Sequence, residues 1–306
     1  MTDNNRAFHS LVLFTLVLMA VIVLLSAHMR LSSTGVGCSD WPACYGHILA
    51  GSAPPRLGWI NTTHRIAAST MGFTSLAIAA LAWRRRRIAP GDLPLALALL
   101  VLTAFLAILG KWTHDAHLPA VALGNLTGGL GMLSLLWWLH LGYSPRLILP
   151  SRLRGLVLTG LALLVAQITL GGMVSANFAA SSCANFSGCD GWLQHASLAA
   201  FNPFHILNVA EGNNFVSGEA QQTLHMTHRF FALLVFCCLI WLGIRLLREN
   251  MRRSGILLIA ALALQAVLGI SVVAYGLPLF LVLMHNAAAV FLLLILVTLS
   301  YRLRRR

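Results

Sequence analysis

Charged residues are scarce in this chain. Of its 306 residues only 9% are charged, Asp and Glu together number 8, and 58% are hydrophobic. A water-soluble globule needs more charge than this to cover its surface, so that class of protein is excluded. The first hydrophobic run lacks a small-residue cleavage site and is too long for a removable signal peptide, which indicates a permanent span. Most of the chain is therefore expected to lie in membrane lipid.

Long uncharged runs recur along the sequence, and each is near the ~20 residues that an α-helix needs to cross a bilayer core. They predict an all-α integral membrane protein with eight transmembrane helices. The predicted spans are Leu11–Ala27, Trp59–Trp83, Leu93–Gly110, Leu118–Tyr143, Gly155–Ser175, Gln222–Gly243, Gly255–Tyr275 and Leu277–Tyr301.

The net charge of +13 is a signal of topology and not of a nucleic-acid partner. Most of the 21 Lys and Arg residues fall at one set of helix ends, including the run from Arg84 to Arg87. The exceptions, on or just under the opposite face, are Arg30, Arg56, Arg65, Lys111 and Arg229. The positive-inside rule then places both termini in the cytoplasm of a bacterial-type inner membrane. Residues 28–58 and 176–221 become two long outer loops.

An internal repeat organises the chain, because the same landmarks occur in the same order in both halves. Each half has an outer loop with Cys-x5-Cys-x-Gly, a Thr-His-Arg triplet at the next span, and a Leu-Gly pair followed nine residues later by Leu-Pro. The triplets contain His64 and His228, and the Leu-Gly pairs end at Gly110 and Gly269. Each half has an even number of spans, so the halves should relate by an axis along the membrane normal. The sequence therefore predicts two four-helix bundles, residues 1–150 and 151–306.

The loop cysteines lie on the side of the membrane where disulfides are permitted. We expect Cys38 to pair with Cys44 and Cys183 with Cys189. Each bridge would close a short loop and fix a lid over the outer end of its bundle. A redox role for Cys38 and Cys44 is the alternative.

His64, His228 and His285 share one depth, within two or three helical turns of the outer surface. Imidazoles on two helices at equal depth can take both axial positions of a haem iron, and His228 with His285 completes such a pair in the second half. One alternative is that these histidines only form hydrogen bonds between helices. Zinc is another, but no tight Cys and His cluster with structural-zinc spacing occurs. Haem is favoured because His64 and His228 recur at equivalent positions of the repeat.

Two further features surround these histidines. Arg65 and Arg229 directly follow His64 and His228, and they are predicted to pair with haem propionates, with interfacial anchoring as the alternative. In the first half, glycines at 124, 128 and 129 outline a slot for a flat ring. Helix packing alone would also account for those glycines.

The stretch from Arg30 to Cys44, the two His-Arg pairs and the segment Gly171-Gly172-Met173-Val174-Ser175 together resemble the haem A synthase family. The resemblance covers nearly the whole chain. It implies a membrane oxidoreductase that converts the C8 methyl of haem O to the formyl of haem A for cytochrome oxidase. It also implies a haem b held by His228 and His285, and a substrate haem at His64. A supplier of haem O and the oxidase assembly machinery are the implied partners, and a homo-oligomer is left open.

Two positions in the presumed catalytic half depart from the family pattern. Asn61 stands where the family has the Glu of Glu-x-x-His-Arg, and Asn125 stands where it has a second histidine. An amide cannot act as a carboxylate base and is a poor iron ligand beside imidazole. Either an open axial position serves oxygen chemistry at His64, or this half no longer catalyses. The alternative function is a haem-binding assembly or electron-transfer protein. A transporter is disfavoured because the polar residues cluster at the outer end and not at the midplane.

Overall fold

The structure is a computed structural model that describes residues 3–33, 58–112, 118–143, 150–183, 189, 192–204, 210–211, 214–215 and 218–303. In these ranges eight helices are long and apolar enough to cross a membrane, which confirms the predicted all-α fold. They are α1 (Asp3–Ser33), α2 (Gly58–Arg84), α3 (Asp92–Trp112), α4 (Pro119–Leu141), α5 (Arg154–Ala176), α6 (Glu219–Arg248), α7 (Arg252–Ala274) and α8 (Leu279–Arg302).

The helices are apolar on their outer faces as well as on their packed faces. Phe73, Val101, Leu233 and Val267 are each at least 60% exposed and point away from the core. Such surface suits lipid, where only segments that satisfy their own backbone hydrogen bonds can span the hydrocarbon. Because apolar residues occur on both the exposed and the packed faces, the helices have little amphipathic character.

Helix contacts divide the chain into two rings of four. Neighbours in the first ring are α1 with α2, α2 with α3, α3 with α4, and α4 with α1, and the same order recurs for α5 to α8. Between the rings, α4 contacts α5 and α8, while α8 contacts α1. If each helix of the first ring is replaced by the helix at the same place in the second ring, and the reverse, the same set of helix contacts results. The contacts are therefore consistent with two repeated four-helix bundles side by side.

Each bundle has its own apolar core. Fully buried residues are Phe8, Val12, Ile78, Leu99 and Leu136 in the first bundle, and Val157, Leu239, Leu242, Leu258 and Leu296 in the second. The bundles meet closely, because a Cβ atom on Gly172 would lie 2.7 Å from Leu126. Trp137 Nε1 donates to Thr298 Oγ1 at 2.8 Å and links α4 to α8. Small residues and buried hydrogen bonds of this kind are what hold helices together in lipid.

The loop between α5 and α6 covers the end at which α4, α6 and α8 begin, which we call the histidine end. It contains 3-10 helices at Ala179–Ser181 and Leu198–Phe201, and an antiparallel pair of two-residue strands, β1 (Ala210–Glu211) and β2 (Asn214–Phe215). Its Pro203 carbonyl accepts a hydrogen bond from Ala120 N at 2.8 Å. The second-half loop thereby satisfies one of the unpaired N–H groups at the start of α4 in the first half.

The opposite end of the first bundle is closed by a buried arginine. Arg85 is 7% exposed, its guanidinium carbon lies 4.3 Å from the centre of the Phe8 ring, and its Nη2 lies 3.6 Å from Asp92 Oδ2. Beside it, His9 Nε2 lies 3.2 Å from His140 Nδ1. Cation–π contact and ion pairing offset the burial of this charge.

Candidate functional site

His228 and His285 face the interior of the second bundle from diagonal helices. His228 is the tenth residue of α6 and His285 the seventh of α8, so both lie near the histidine end. Both α6 and α8 pack against α5 and α7. The structure thus places the two predicted ligands in one bundle and near the same end, on helices at opposite sides of that bundle.

The His228 ring lies against α5. Gln167 Nε2 is 3.1 Å from His228 Nδ1, and it also donates to the His228 carbonyl oxygen at 3.1 Å. One turn farther along α5, a Cβ atom on Gly171 would lie only 3.1 Å from His228 Cε1. The ring therefore occupies space that only a glycine leaves open at this position.

The His285 ring lies against α7 in the same way. Gln265 Nε2 is 3.2 Å from His285 Nε2. A Cβ atom on Gly269, one turn after Gln265, would lie 3.0 Å from His285 Cε1. Each imidazole therefore rests on a neighbouring helix that supplies a glutamine and a glycine four residues apart.

This site fits a metal macrocycle better than a simple metal ion. The ring nitrogen His285 Nδ1 is buried without a hydrogen-bond partner among the described residues. Such an atom is costly and points to a partner that the chain itself does not supply. The zinc alternative would need a group of three or more His, Cys, Asp or Glu, and none that could hold a metal occurs in the described ranges. A haem brings its own ring nitrogens, and His228 and His285 would be the residues that hold its iron.

A disulfide closes the loop beside this site. Cys183 and Cys189 are bonded, as the spacing predicts, while Cys38 and Cys44 lie outside the described residues. The Cys183 carbonyl accepts from Arg229 Nη2 at 3.4 Å, and Arg229 Nε donates to His225 Nε2 at 3.1 Å. Arg229 thus joins the disulfide loop to α6 within one turn of His228.

In the first bundle, His64 and Asn125 occupy helices that correspond to those of His228 and His285. His64 is the seventh residue of α2 and partly buried, Arg65 is exposed, and Asn61 is the fourth residue of α2. Asn125 is the seventh residue of α4, just as His285 is the seventh of α8. Asn125 is six residues after Pro119, whereas His285 is seven residues after Pro278. The difference of one residue disappears when positions are counted from the first residue of each helix, because α4 begins at Pro119 and α8 begins at Leu279.

The α3 side of the first bundle lacks the glutamine found on α7. Leu106 stands four residues before Gly110, where Gln265 stands four residues before Gly269. Leu106 Cδ2 would lie 2.8 Å from a Cβ atom on Gly128, and Leu109 Cδ1 would lie 2.5 Å from one on Gly124. These two glycines admit side chains of α3, as the packing explanation of the glycines predicts.

Sequence reasoning missed Gln167 and Gln265. A signal was present, because Gln-x3-Gly occurs twice in otherwise apolar spans, at Gln167 to Gly171 and at Gln265 to Gly269. An i, i+4 pair lies on one helix face, and a polar residue inside a span is a functional candidate. Only the contacts show that these faces meet His228 and His285.

Comparison with known proteins gives one consistent result. Residues 9–297 match the profile of a family described as cytochrome oxidase assembly protein. The chain is 36% identical to a haem A synthase of Shewanella oneidensis over 312 aligned positions, which cover 94% of each chain. It is 30% identical to a haem A synthase of Novosphingobium aromaticivorans over 240 positions, which cover 73% of this chain and 65% of the relative.

Proposed function

This chain belongs to the haem A synthase family of cytochrome oxidase assembly proteins, and on that basis we propose that it oxidises the C8 methyl of haem O to the formyl of haem A. The reaction takes electrons from carbon, so the protein needs a route to an acceptor. A haem b held by His228 and His285 would supply one-electron chemistry in the second half, residues 151–306.

The haem b assignment is supported by one observation above all. Two imidazoles on diagonal helices are each fixed against a neighbouring helix, beside buried polar atoms that have no partner in the described part of the chain. Hydrogen bonding between helices alone would leave no partner for the buried ring nitrogen His285 Nδ1. Arg229 is proposed to bind a propionate from the histidine end, because its guanidinium is partly buried within one turn of His228.

The first half, residues 1–150, is proposed to hold the substrate haem with His64 as its ligand. Arg65 is exposed beside it and is proposed to serve a propionate. Asn125 and Asn61 would hydrogen-bond to the substrate without acting as bases, because a side-chain amide does not take up a proton at neutral pH. We propose that the loops at the histidine end face outside and that both termini are cytoplasmic, in a bacterial-type inner membrane.

The test uses purified full-length protein with and without supplied haem O. His228→Ala and His285→Ala should each abolish a low-spin haem b spectrum, whereas His195→Ala should keep it, since His195 is exposed and paired with Glu219. His64→Ala should stop formation of haem A, measured by chromatography of extracted haems, and leave the haem b spectrum in place. An unchanged low-spin spectrum in intact His285→Ala would contradict the haem b assignment.

A second function is favoured by one specific observation. Asn61 and Asn125 replace the carboxylate and the histidine that the family pattern has in the catalytic half. If the loss of these two groups has ended catalysis in the first half, the protein would bind haem b and serve oxidase assembly or electron transfer without producing haem A. Full haem b occupancy together with no haem A, from wild-type protein supplied with haem O and an electron acceptor, would establish this alternative.

A further inference from the structure

We infer that Gln265 is a positioning residue that accepts the imidazole N–H of the haem ligand His285 and thereby sets the redox potential of the iron. The inference rests on the proposed haem b site. It concerns a side chain that belongs to neither ligand helix, and it assigns that side chain a task beyond packing.

Gln265 and Gly269 lie on α7 against the His285 ring. Gln167 lies on α5 against the His228 ring, but its Nε2 also donates to the His228 carbonyl oxygen at 3.1 Å. That hydrogen bond fixes the amide nitrogen of Gln167 toward His228. The role of hydrogen-bond acceptor is therefore assigned to Gln265 and not to Gln167.

The chemistry of a neutral imidazole explains why each ring needs such a neighbour. One ring nitrogen offers a lone pair to iron, and the other carries a proton that requires an acceptor. A half-turn of the last torsion of Gln265 brings its Oε1 to the place of Nε2, which is 3.2 Å from His285 Nε2. This Oε1 atom is buried and has no other partner among the described residues. It is therefore suited to accept the ring N–H and to fix the tautomer.

The acceptor also changes the metal. A hydrogen bond to the N–H makes the imidazole a stronger donor, which stabilises ferric over ferrous iron and lowers the potential. The effect is larger for a buried acceptor such as Gln265 Oε1, because the local dielectric constant is low. Fixing the His285 ring through α7 would thus tune haem b as well as orient it.

The first bundle provides an internal contrast. At the position equivalent to Gln265 it has Leu106, and at the position equivalent to His285 it has Asn125. The ligand and its glutamine are absent together. A glutamine present only for helix packing would have no reason to disappear with the histidine.

The experiment measures the midpoint potential of haem b in purified full-length protein. Gln265→Leu removes the acceptor and should raise the potential, changing the ferric-to-ferrous ratio at fixed ambient potential about tenfold, which is ~59 mV for one electron. Gln265→Glu, in alkaline buffer, supplies a stronger acceptor and should lower the potential. Opposite signs for Leu and Glu distinguish hydrogen bonding from a structural role, which would shift both in one direction.

Gln221→Leu is the matched control. Gln221 is a buried glutamine of α6 whose Oε1 accepts from Gly218 N at the helix start, so its loss should leave the potential unchanged. Wild-type protein with low-spin haem b and unchanged potentials in both Gln265 variants would overturn the inference alone. Wild-type protein without low-spin haem b would overturn the proposed haem site and the inference with it. If Gln265→Leu fails to assemble, Gln265→Glu decides, since a carboxylate is nearly isosteric with the amide.

Discussion

The Nε2 atom of Gln265 lies 3.2 Å from Nε2 of His285 on the adjacent helix. The orientation of this imidazole is therefore decided by α7 and not by its own helix. The relationship extends one turn along α7 to Gly269, whose missing side chain leaves room for the ring. Since a ligand ring must be aimed to within about 10–20° to bind iron well, such contacts from outside the ligand helix are functional.

Gly269→Ala should disturb the haem site. The added Cβ would lie 3.0 Å from His285 Cε1 and 3.4 Å from Nδ1, so the ring must shift by a few tenths of an ångström. Overpacking of this kind costs about 1–3 kcal/mol, and haem affinity should fall about tenfold for each 1.4 kcal/mol. The measurement is haem retained per protein after titration with a haem-binding competitor.

Gly110→Ala is the control for that change, because Gly110 occupies the equivalent place in α3 and a Cβ atom there meets no described residue within 4 Å. It should keep wild-type haem retention. Equal retention in Gly269→Ala and wild type would show that the His285 ring can move without cost, and would argue against a closely fitted ligand.

The eight spans were predictable because hydropathy reads lipid exposure directly, but the helix ends were not. The predicted first span covered Leu11–Ala27, whereas α1 runs from Asp3 to Ser33. Helices continue past the hydrocarbon into polar residues that hydropathy does not register. The two-residue strands β1 and β2 were likewise missed, because pairs so short have no periodicity to detect.

The candidate site was half predictable. His228 and His285 could be selected because histidines inside apolar spans are rare and the repeat relates the first of them to His64. Gln167 and Gln265 could not be assigned, since sequence gives the depth of a residue in a span and not the direction in which it faces its neighbours. The one-residue offset between Asn125 and His285 depended on where α4 and α8 begin. The start of α8 is set by the left-handed turn at Gly276 and Leu277, and the described residues of the first half contain no such turn before α4.

Removing the disulfide with Cys183→Ser and Cys189→Ser should lower the free energy of unfolding by about 2 kcal/mol, because a closed loop this short constrains the unfolded chain only modestly. The Cys183 carbonyl that accepts from Arg229 would also become more mobile. Amide hydrogen exchange should therefore rise in the loop around residues 179–183 and at the start of α6. Unchanged exchange there would show that the bridge does not hold the loop onto α6.

Breaking the Arg85–Asp92 pair should destabilise the first bundle without affecting haem b. Arg85→Leu leaves the Asp92 carboxylate partly buried and unpaired, and Asp92→Leu does the same to the guanidinium, so each should cost about 1–3 kcal/mol. The double variant should cost less than the sum of the two. Detergent unfolding curves measure these values. Strict additivity would show that the two charges do not interact.

The final prediction concerns what the first bundle would need in order to gain a second axial ligand. Asn125→His places an imidazole at the seventh position of α4, equivalent to His285. By itself it should give weak or heterogeneous low-spin haem, because Leu106 stands where Gln265 supports His285 and offers no acceptor for the ring N–H. Leu106→Gln supplies that acceptor and removes a branched side chain that packs against Gly128. The double variant Leu106→Gln with Asn125→His should therefore bind a second low-spin haem more than tenfold tighter than Asn125→His alone, measured by optical titration in a His285→Ala background that silences the second-half signal. If both variants bind haem equally well, the glutamine is dispensable to a histidine at this depth, and the support proposed for His285 would need another explanation.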